Sequence, residues 1–232
     1  MPATAPAKQF SWSWSKLKNW RTCPKRHYHV DLAKEFKDES EQLDWGNRVH
    51  SSLASRIGKG EPLPREMSGY EPWASSIVSE RKPFIEIKVE QKLAINRDFQ
   101  PVGWFDASTW FRAVIDVAIL ALGGRFALTV DWKTGNSIKP DFEQLALSAE
   151  TIFAHYPQVE WVGAAYGWLG HDAVTRKIHQ RGHMQEMWNK VLPDVKQMDE
   201  AARMLNYPPK PGGLCVHYCP VTSCPFHGKG TR

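Results

Sequence analysis

No apolar run in this 232-residue sequence is long enough to cross a bilayer: the longest, 114–122, is broken by Asp116, whereas a helical span needs about 20 apolar residues. Residues 1–9 carry no apolar core of the kind a secretory leader has. A soluble cytoplasmic protein without a membrane partner is therefore expected. Also missing are a glycine-rich loop ending in Gly-Lys-Ser/Thr, which excludes that mode of ATP binding, and any internal repeat. Acids are absent from two stretches: none lies among Lys16, Lys18, Arg21, Lys25 and Arg26, and none follows Glu200. The net charge of +5 decides little alone, but this clustering makes both regions locally positive. Cysteine is scarce, with four residues in all. In a reducing compartment they point to metal or cluster ligation rather than to disulfides.

What is present divides by periodicity, over a length that suits one substantial core. Ser11, Ser13 and Ser15, interleaved with Trp12 and Trp14, offer N-caps for a short helix that carries Leu17 and Trp20 and stops before Cys23-Pro24. A second helical stretch is expected from Pro24 toward Phe36. A third covers 41–57, with Leu43, Val49, Leu53 and Ile57 at helical spacing before Gly58 and Gly60, and a fourth runs from Pro72 through Val78. The period then becomes two: Ile85, Ile87 and Val89 alternate with Glu86, Lys88 and Glu90, which predicts a half-buried strand. Strands over 100–106, 113–120 and 126–132 complete an antiparallel meander. Pro140 suits the first turn of a helix through Leu145, Leu147, Ile152 and Phe153. Strands over 159–168 and 173–180 follow, then a long helix over 183–206, bent or broken at Pro193. The chain thus reads as a helical part, 10–82, a core, 83–206, and a tail, 207–232, too rich in Pro, Gly and Cys to be held by regular structure.

Chemistry concentrates in Val130-Asp131-Trp132-Lys133-Thr134-Gly135. A carboxylate and an ammonium two residues apart share one face of a strand, which sends Trp132 to the opposite face and into a core. Asp116 interrupts the neighbouring apolar run, and Gly123-Gly124 supplies the turn that sets the two runs side by side. Two carboxylates and a lysine then converge. Such a set suits a divalent cation, a water to be deprotonated and a phosphodiester to be cut. A lone Asp-x-Lys is cheap, since roughly one arises by chance in a chain this long, and a surface ion pair on an edge strand is the plain alternative. Position separates the two: Asp131 closes the apolar run 126–130 and Thr134-Gly135 turns away at once, leaving the pair at a strand end, where sites are built.

Asp116, the Asp131-Trp132-Lys133-Thr134-Gly135 run and Gln144 together resemble the PD-(D/E)XK nuclease superfamily, in particular its RecB-type exonuclease branch. Gly46-Asn47-Arg48-Val49-His50 is similar to the glycine-x-x-x-histidine helix motif of that branch, and Val89-Glu90-Gln91-Lys92-Leu93 resembles the strand with its early glutamate. The resemblance implies an α/β, restriction-endonuclease-like fold, a central mixed β-sheet flanked by helices. It also implies a metal-dependent DNA exonuclease acting at ends or on single strands, in recombination, repair or phage DNA metabolism. Asp116, Asp131, Lys133, Glu90 and Gln144 would be its catalytic residues. Mg2+ or Mn2+ would be held by His50, Asp116, Asp131 and the backbone carbonyl of Trp132, with Glu90 in support. Hard cations prefer oxygen donors, and an imidazole favours Mn2+. Lys133 would orient the attacking water or steady developing charge. Plainer readings stand beside these: His50 as an ordinary helix-face histidine, Glu90 as a solvent-facing strand residue next to Glu86 and Lys88. The tyrosine expected four residues after the glutamine is replaced by Ser148. A DNA-binding subunit that keeps the fold and has lost cleavage is one alternative, and a nuclease of CRISPR spacer acquisition is another. With no ATP loop, unwinding would fall to a helicase or recombination partner.

Cys23 stands alone while Cys215, Cys219 and Cys224 crowd the tail. One plus three is the count a tetrahedral zinc site or an iron-sulfur cluster requires. The division resembles the iron-sulfur staple of AddB-type helicase-nucleases and of CRISPR-associated spacer-acquisition nucleases, which implies a 4Fe-4S cluster clipping the tail to the N-terminal helices. The spacing differs slightly from the commoner one and leaves open a structural Zn2+, with His217 or His227 as substitute ligands, or unligated thiols. A clip would set the acid-free tail beside the basic helix and build a positive surface. DNA contacts are accordingly expected from Arg21, Lys25, Arg26 and Trp20, in a chain whose eleven tryptophans offer rings for stacking unpaired bases. Core packing is the bland alternative for any one of them.

Overall fold

The computed structural model describes residues 10–229. Residues 1–9, read above as lacking a leader, and 230–232 of the tail lie outside the described residues. β1 (Trp12–Ser13) runs directly into α1 (Trp14–Thr22), because the hydroxyl of Ser13, in extended backbone, accepts the N–H of Lys16 at 3.4 Å. α2 (Pro24–His27) starts on its proline and passes into a π-helical turn over Tyr28–Leu32. Lys34, at φ 55°, breaks the spiral, so the helix expected toward Phe36 stops short. α3 (Glu41–Lys59) is closed at both ends: Ser40 Oγ accepts the N–H of Leu43 at 3.1 Å, and Gly60 turns the chain away at φ 78°. A 3₁₀ turn (Arg65–Tyr70) leads into α4 (Glu71–Ser79). After these come β2 (Ile85–Ile95), β3 (Pro101–Val102), β4 (Phe111–Ala121), β5 (Phe126–Lys133), α5 (Phe142–His155), β6 (Trp161–Trp168), β7 (Ala173–Gln180), α6 (Gln185–Met204) and α7 (Leu214–His217).

The strands form one seven-stranded sheet in the order β3-β2-β4-β5-β6-β7, with β1 parallel to β4 off this path. β2, β4 and β5 make the expected antiparallel meander. β5 and β6 are parallel, joined by the α5 crossover, and β7 returns antiparallel. Three expectations change. The strand over 100–106 shrinks to Pro101–Val102 because Gly103 O accepts the Asp106 N–H at 3.0 Å and the Thr109 hydroxyl at 2.9 Å, folding the segment into a tight loop. Pro140 lies just ahead of α5 rather than in its first turn, and Asp141 is the N-cap. α6 continues unbroken through Pro193.

Helices cover both faces of the sheet. On one, α1, α5 and α6 pack Leu17, Leu145, Ile152 and Val191 against Phe111, Ala118 and Leu120. On the other, α3 and α4 bring Val49, Leu53, Ile57 and Ala74 onto Val117, Ile119 and Trp132. Alternation along β2 and β4 is not continuous, however. Val89, Val117 and Ile119 serve the second core, yet Leu93, Ile95, Phe111 and Ile115, of the same odd parity, serve the first. In β2 the switch falls at Glu90, which holds a left-handed backbone at φ 48°, and in β4 at Asp116 opposite it. The tail docks on the N-terminal helices through Tyr207, whose ring lies 4.8 Å from that of Tyr28 and 6.5 Å from that of Trp20, and through the fully buried Val221. Among the described residues, no helix is long and apolar enough to cross a membrane.

Candidate metal centre and its lysine

β4 has β2 along one edge throughout, but its other edge is shared: β1 takes Phe111 and Arg112, and β5 takes Val117 onward. Between them, residues 113–116 have no strand beside them. Asp116 sits at this fork. Its Oδ2 reaches across and accepts the backbone N–H of Trp132 at 2.8 Å, doing with a side chain what a ladder bond would otherwise do. The same oxygen lies 3.0 Å from Nδ1 of His50 on α3. That approach depends on Gly46, one helical turn earlier: a Cβ there would stand 3.3 Å from Thr134 Oγ1, so glycine lets the helix settle on the turn that follows Lys133.

On the other edge, the β2–β4 ladder skips one position. Val89 pairs with Val117 and Gln91 with Ile115, while Glu90 and Asp116 between them are unpaired. The left-handed Glu90 is a strained residue at a site, a pattern that locates function when other groups converge on it. Here they do: His50, Glu90 and Asp116 each offer a ligand atom, all within 4.8 Å of one another. The charges register the crowding. Burial and the neighbouring Asp116 charge push the Glu90 carboxyl above its usual range. Burial disfavours the His50 cation, yet the bond and charge of Asp116 outweigh it and hold the imidazole above its ordinary value. Asp131 is pushed up to about 6, by burial first and by Asp116, with Lys133 opposing. A bound cation would favour the charged carboxylates and compete with the proton on His50. The sequence suggests His50, Asp116 and Asp131 as ligands with Glu90 in support; the close cluster joins His50, Glu90 and Asp116.

Asp131 belongs to a second constellation. It forms an ion pair with Lys133, and its other oxygen accepts from Gln144 Nε2 at 3.2 Å. The carbonyl end of Gln144 takes Lys133 Nζ at 3.4 Å and the hydroxyl of Tyr166 at 3.0 Å. The single hydroxyl proton of Tyr166 is shared between that oxygen and the Asp141 carbonyl at 2.7 Å, and the Tyr166 ring centroid lies 4.8 Å from Lys133 Nζ. Three side chains, from β5, α5 and β6, therefore fix one ammonium. Tyr166 was missed in the sequence because its signal is a pairing, not a motif: parallel register sets it beside Asp131. Trp132 lies on the opposite face, buried and edge-on to Trp73. Its backbone faces the Asp116 side, since the next residue, Lys133, turns its carbonyl the other way, to the N–H of Leu169.

The four cysteines, none in a disulfide, line one cavity of about 90 Å³ between α1, α2 and the tail. Cys23 Sγ accepts the Lys210 N–H at 3.2 Å and Cys215 Sγ that of Gly212 at 3.4 Å. Among the described residues no three of these sulfurs gather as closely as the ligand atoms of the metal centre do. The basic residues expected on DNA meet acids or the cysteine cavity. Arg21 bonds Glu143 at 2.5 Å and Asp194 at 2.7 Å, Arg26 pairs with Asp38, Trp20 is core, and Lys25 lines the cysteine cavity.

This architecture is restriction-endonuclease-like. A crystal structure of a candidate exonuclease from Eubacterium rectale matches with a TM-score of 0.50 at 13% identity, over 100% of this chain and 95% of that one. At this identity the likeness speaks for the fold alone. The crystal structure of SSO0001 aligns more loosely, with a TM-score of 0.45 at 15% identity over 97% of this chain and 90% of that one. A comparison with curated proteins gives no match. The family model of the PD-(D/E)XK nuclease superfamily matches residues 11–225, and the chain belongs to that superfamily.

Proposed function

We propose that the protein is a divalent-metal-dependent deoxyribonuclease, an exonuclease that hydrolyses phosphodiester bonds at DNA ends or on single strands. On this reading 10–82, 83–206 and 207–232 act as parts of one nuclease domain, working in the cytoplasm in recombination, repair or phage DNA metabolism. The observation that carries the proposal is the convergence of His50, Glu90 and Asp116 within 4.8 Å, alongside a lysine fixed by Asp131 and Gln144. One imidazole and two carboxylates suit Mn2+ or Mg2+. Such a cation would supply polarisation of a phosphate oxygen and a more acidic water. The protein's own part is positional. Asp116 fixes the His50 ring and the Trp132 backbone together. Asp131, Gln144 and Tyr166 hold Lys133 so that its ammonium meets negative charge without reorganising.

Digestion of end-labelled linear DNA with Mg2+ or Mn2+ tests this. Asp131→Ala should cut at least roughly a hundredfold more slowly than wild type, and equal DNA loss from both proteins would end the reading.

The four cysteines are best read as ligands of a 4Fe-4S cluster. All four sulfurs line one cavity, and those of Cys23 and Cys215 already accept backbone N–H groups, as cluster ligands do. Anaerobically purified protein should be brown and contain iron, and Cys23→Ala should lose both colour and thermal stability. A colourless protein loaded with zinc would replace the cluster with an ion.

A further inference from the structure

We propose that the open edge of β4 is a channel for an unpaired DNA strand, leading along residues 112–114 to the metal centre, with Trp104 and Phe105 as its stacking platform. This rests on the nuclease reading and adds the form of DNA that the site takes. A second cleft of about 420 Å³ lies over the gap between β1 and β5, with Trp14, Trp104, Arg112, Val114 and Gln144 among its walls. No acid lines it. Val114 also lines the cleft of the metal centre, so the two clefts share a wall. In the middle of a sheet this valine is 43% exposed, beside an edge that no strand covers.

The cations here differ from those of α1. Trp104 is flanked by two of them, with Lys92 Nζ 5.9 Å and the Arg112 guanidinium 5.7 Å from its ring centroid. Arg112 bonds the Trp104 carbonyl at 2.8 Å and the Ser11 hydroxyl at 2.6 Å, both uncharged acceptors. Neither Lys92 nor Arg112 forms an ion pair among the described residues, so both charges remain for phosphates. Lys92 pairs with Val114 in the ladder, which sets a cation beside the junction of the clefts.

Next to Trp104 along the chain, Phe105 is 90% exposed. The loop that carries it is fixed: Asp106 Oδ1 accepts the Ser108 N–H at 2.7 Å and its hydroxyl at 2.6 Å, and Thr109 N–H bonds the Asp106 carbonyl at 3.1 Å. A rigidly presented ring loses little entropy when a base stacks on it. Rings for bases, cations for phosphates and no acid match a single strand, whose bases are free to stack, better than a duplex, whose bases are already stacked.

The test is fluorescence anisotropy of labelled oligo-dT and of a blunt hairpin duplex, in EDTA so that nothing is cut, together with hydrolysis of bis(p-nitrophenyl) phosphate in Mn2+. Phe105→Ala, altering a solvent-exposed ring, should weaken oligo-dT binding about tenfold, leave hairpin binding unchanged and leave the small diester's hydrolysis unchanged. Adding Lys92→Gln should weaken oligo-dT further and flatten its salt dependence. Unchanged oligo-dT affinity in Phe105→Ala, or equal loss on both DNAs, would overturn the channel. Absence of diester and DNA cleavage in the wild type, with the oligo-dT preference intact, would overturn the nuclease reading and keep the channel.

Discussion

From Val117 to Leu120, β4 is paired on both edges and its side chains fill both cores; from 113 to 115 it is paired on one edge only and Asp116 on neither, and Val114 there is open to solvent. The paired half spends its residues on burial, at roughly 25 cal/mol for each Å² of apolar surface removed from water. The open half spends that stability on crowded carboxylates, a left-handed glutamate and an exposed valine. A strained site persists only where its surroundings over-determine it, so the two halves of one strand stand as support and load.

Substitutions in each half should separate these roles. Ile119→Ala, in the paired half, should cost about 3 kcal/mol in urea unfolding by opening a cavity beneath α3, while the folded fraction keeps its turnover number. A variant as stable as wild type would mean that this half is not the support. Tyr166→Phe lies between the two: its ring stays beside Lys133 but Gln144 loses a donor. The turnover number should fall about tenfold with KM little changed, and stability should fall by no more than about 1 kcal/mol. Equal kinetics would show that the hydroxyl does not hold Gln144. Glu90→Gly should reverse the pattern of Ile119→Ala, gaining about 1 kcal/mol as a left-handed backbone becomes unstrained while Mn2+ affinity by calorimetry drops. Loss of stability together with affinity would refute strain at this residue.

Local signals made the outline legible. The serine before α1, the glycine after α3 and the alternation at Ile85, Ile87 and Val89 each place an element within a few residues. Asp131 and Lys133 at a strand end, Asp116 on the neighbouring strand and Gly46 a helical turn ahead of His50 were equally readable, because each depends on spacing along the chain. What escaped depends on relations across it. The fork needs β1 and β5 to divide one edge of β4, the face switch at Glu90 appears only in backbone angles, and Tyr166 reaches Gln144 only once parallel register is set. The acids that meet the basic helix are hidden for a similar reason. Arg21 looks unopposed along the sequence, but its acids, Glu143 and Asp194, arrive from α5 and α6.

Cys23 takes its hydrogen bond from Lys210, 187 positions further along. At synthesis rates of ≈ 5–20 residues per second, on the order of 10 to 40 s separates the emergence of one from that of the other. For that interval the amino-terminal segment leaves the ribosome without the tyrosine that will cover it or the thiols that will share its cavity. Folding of the newborn chain is thereby ordered in time: the sheet can assemble before the contact between Cys23 and Lys210 is possible.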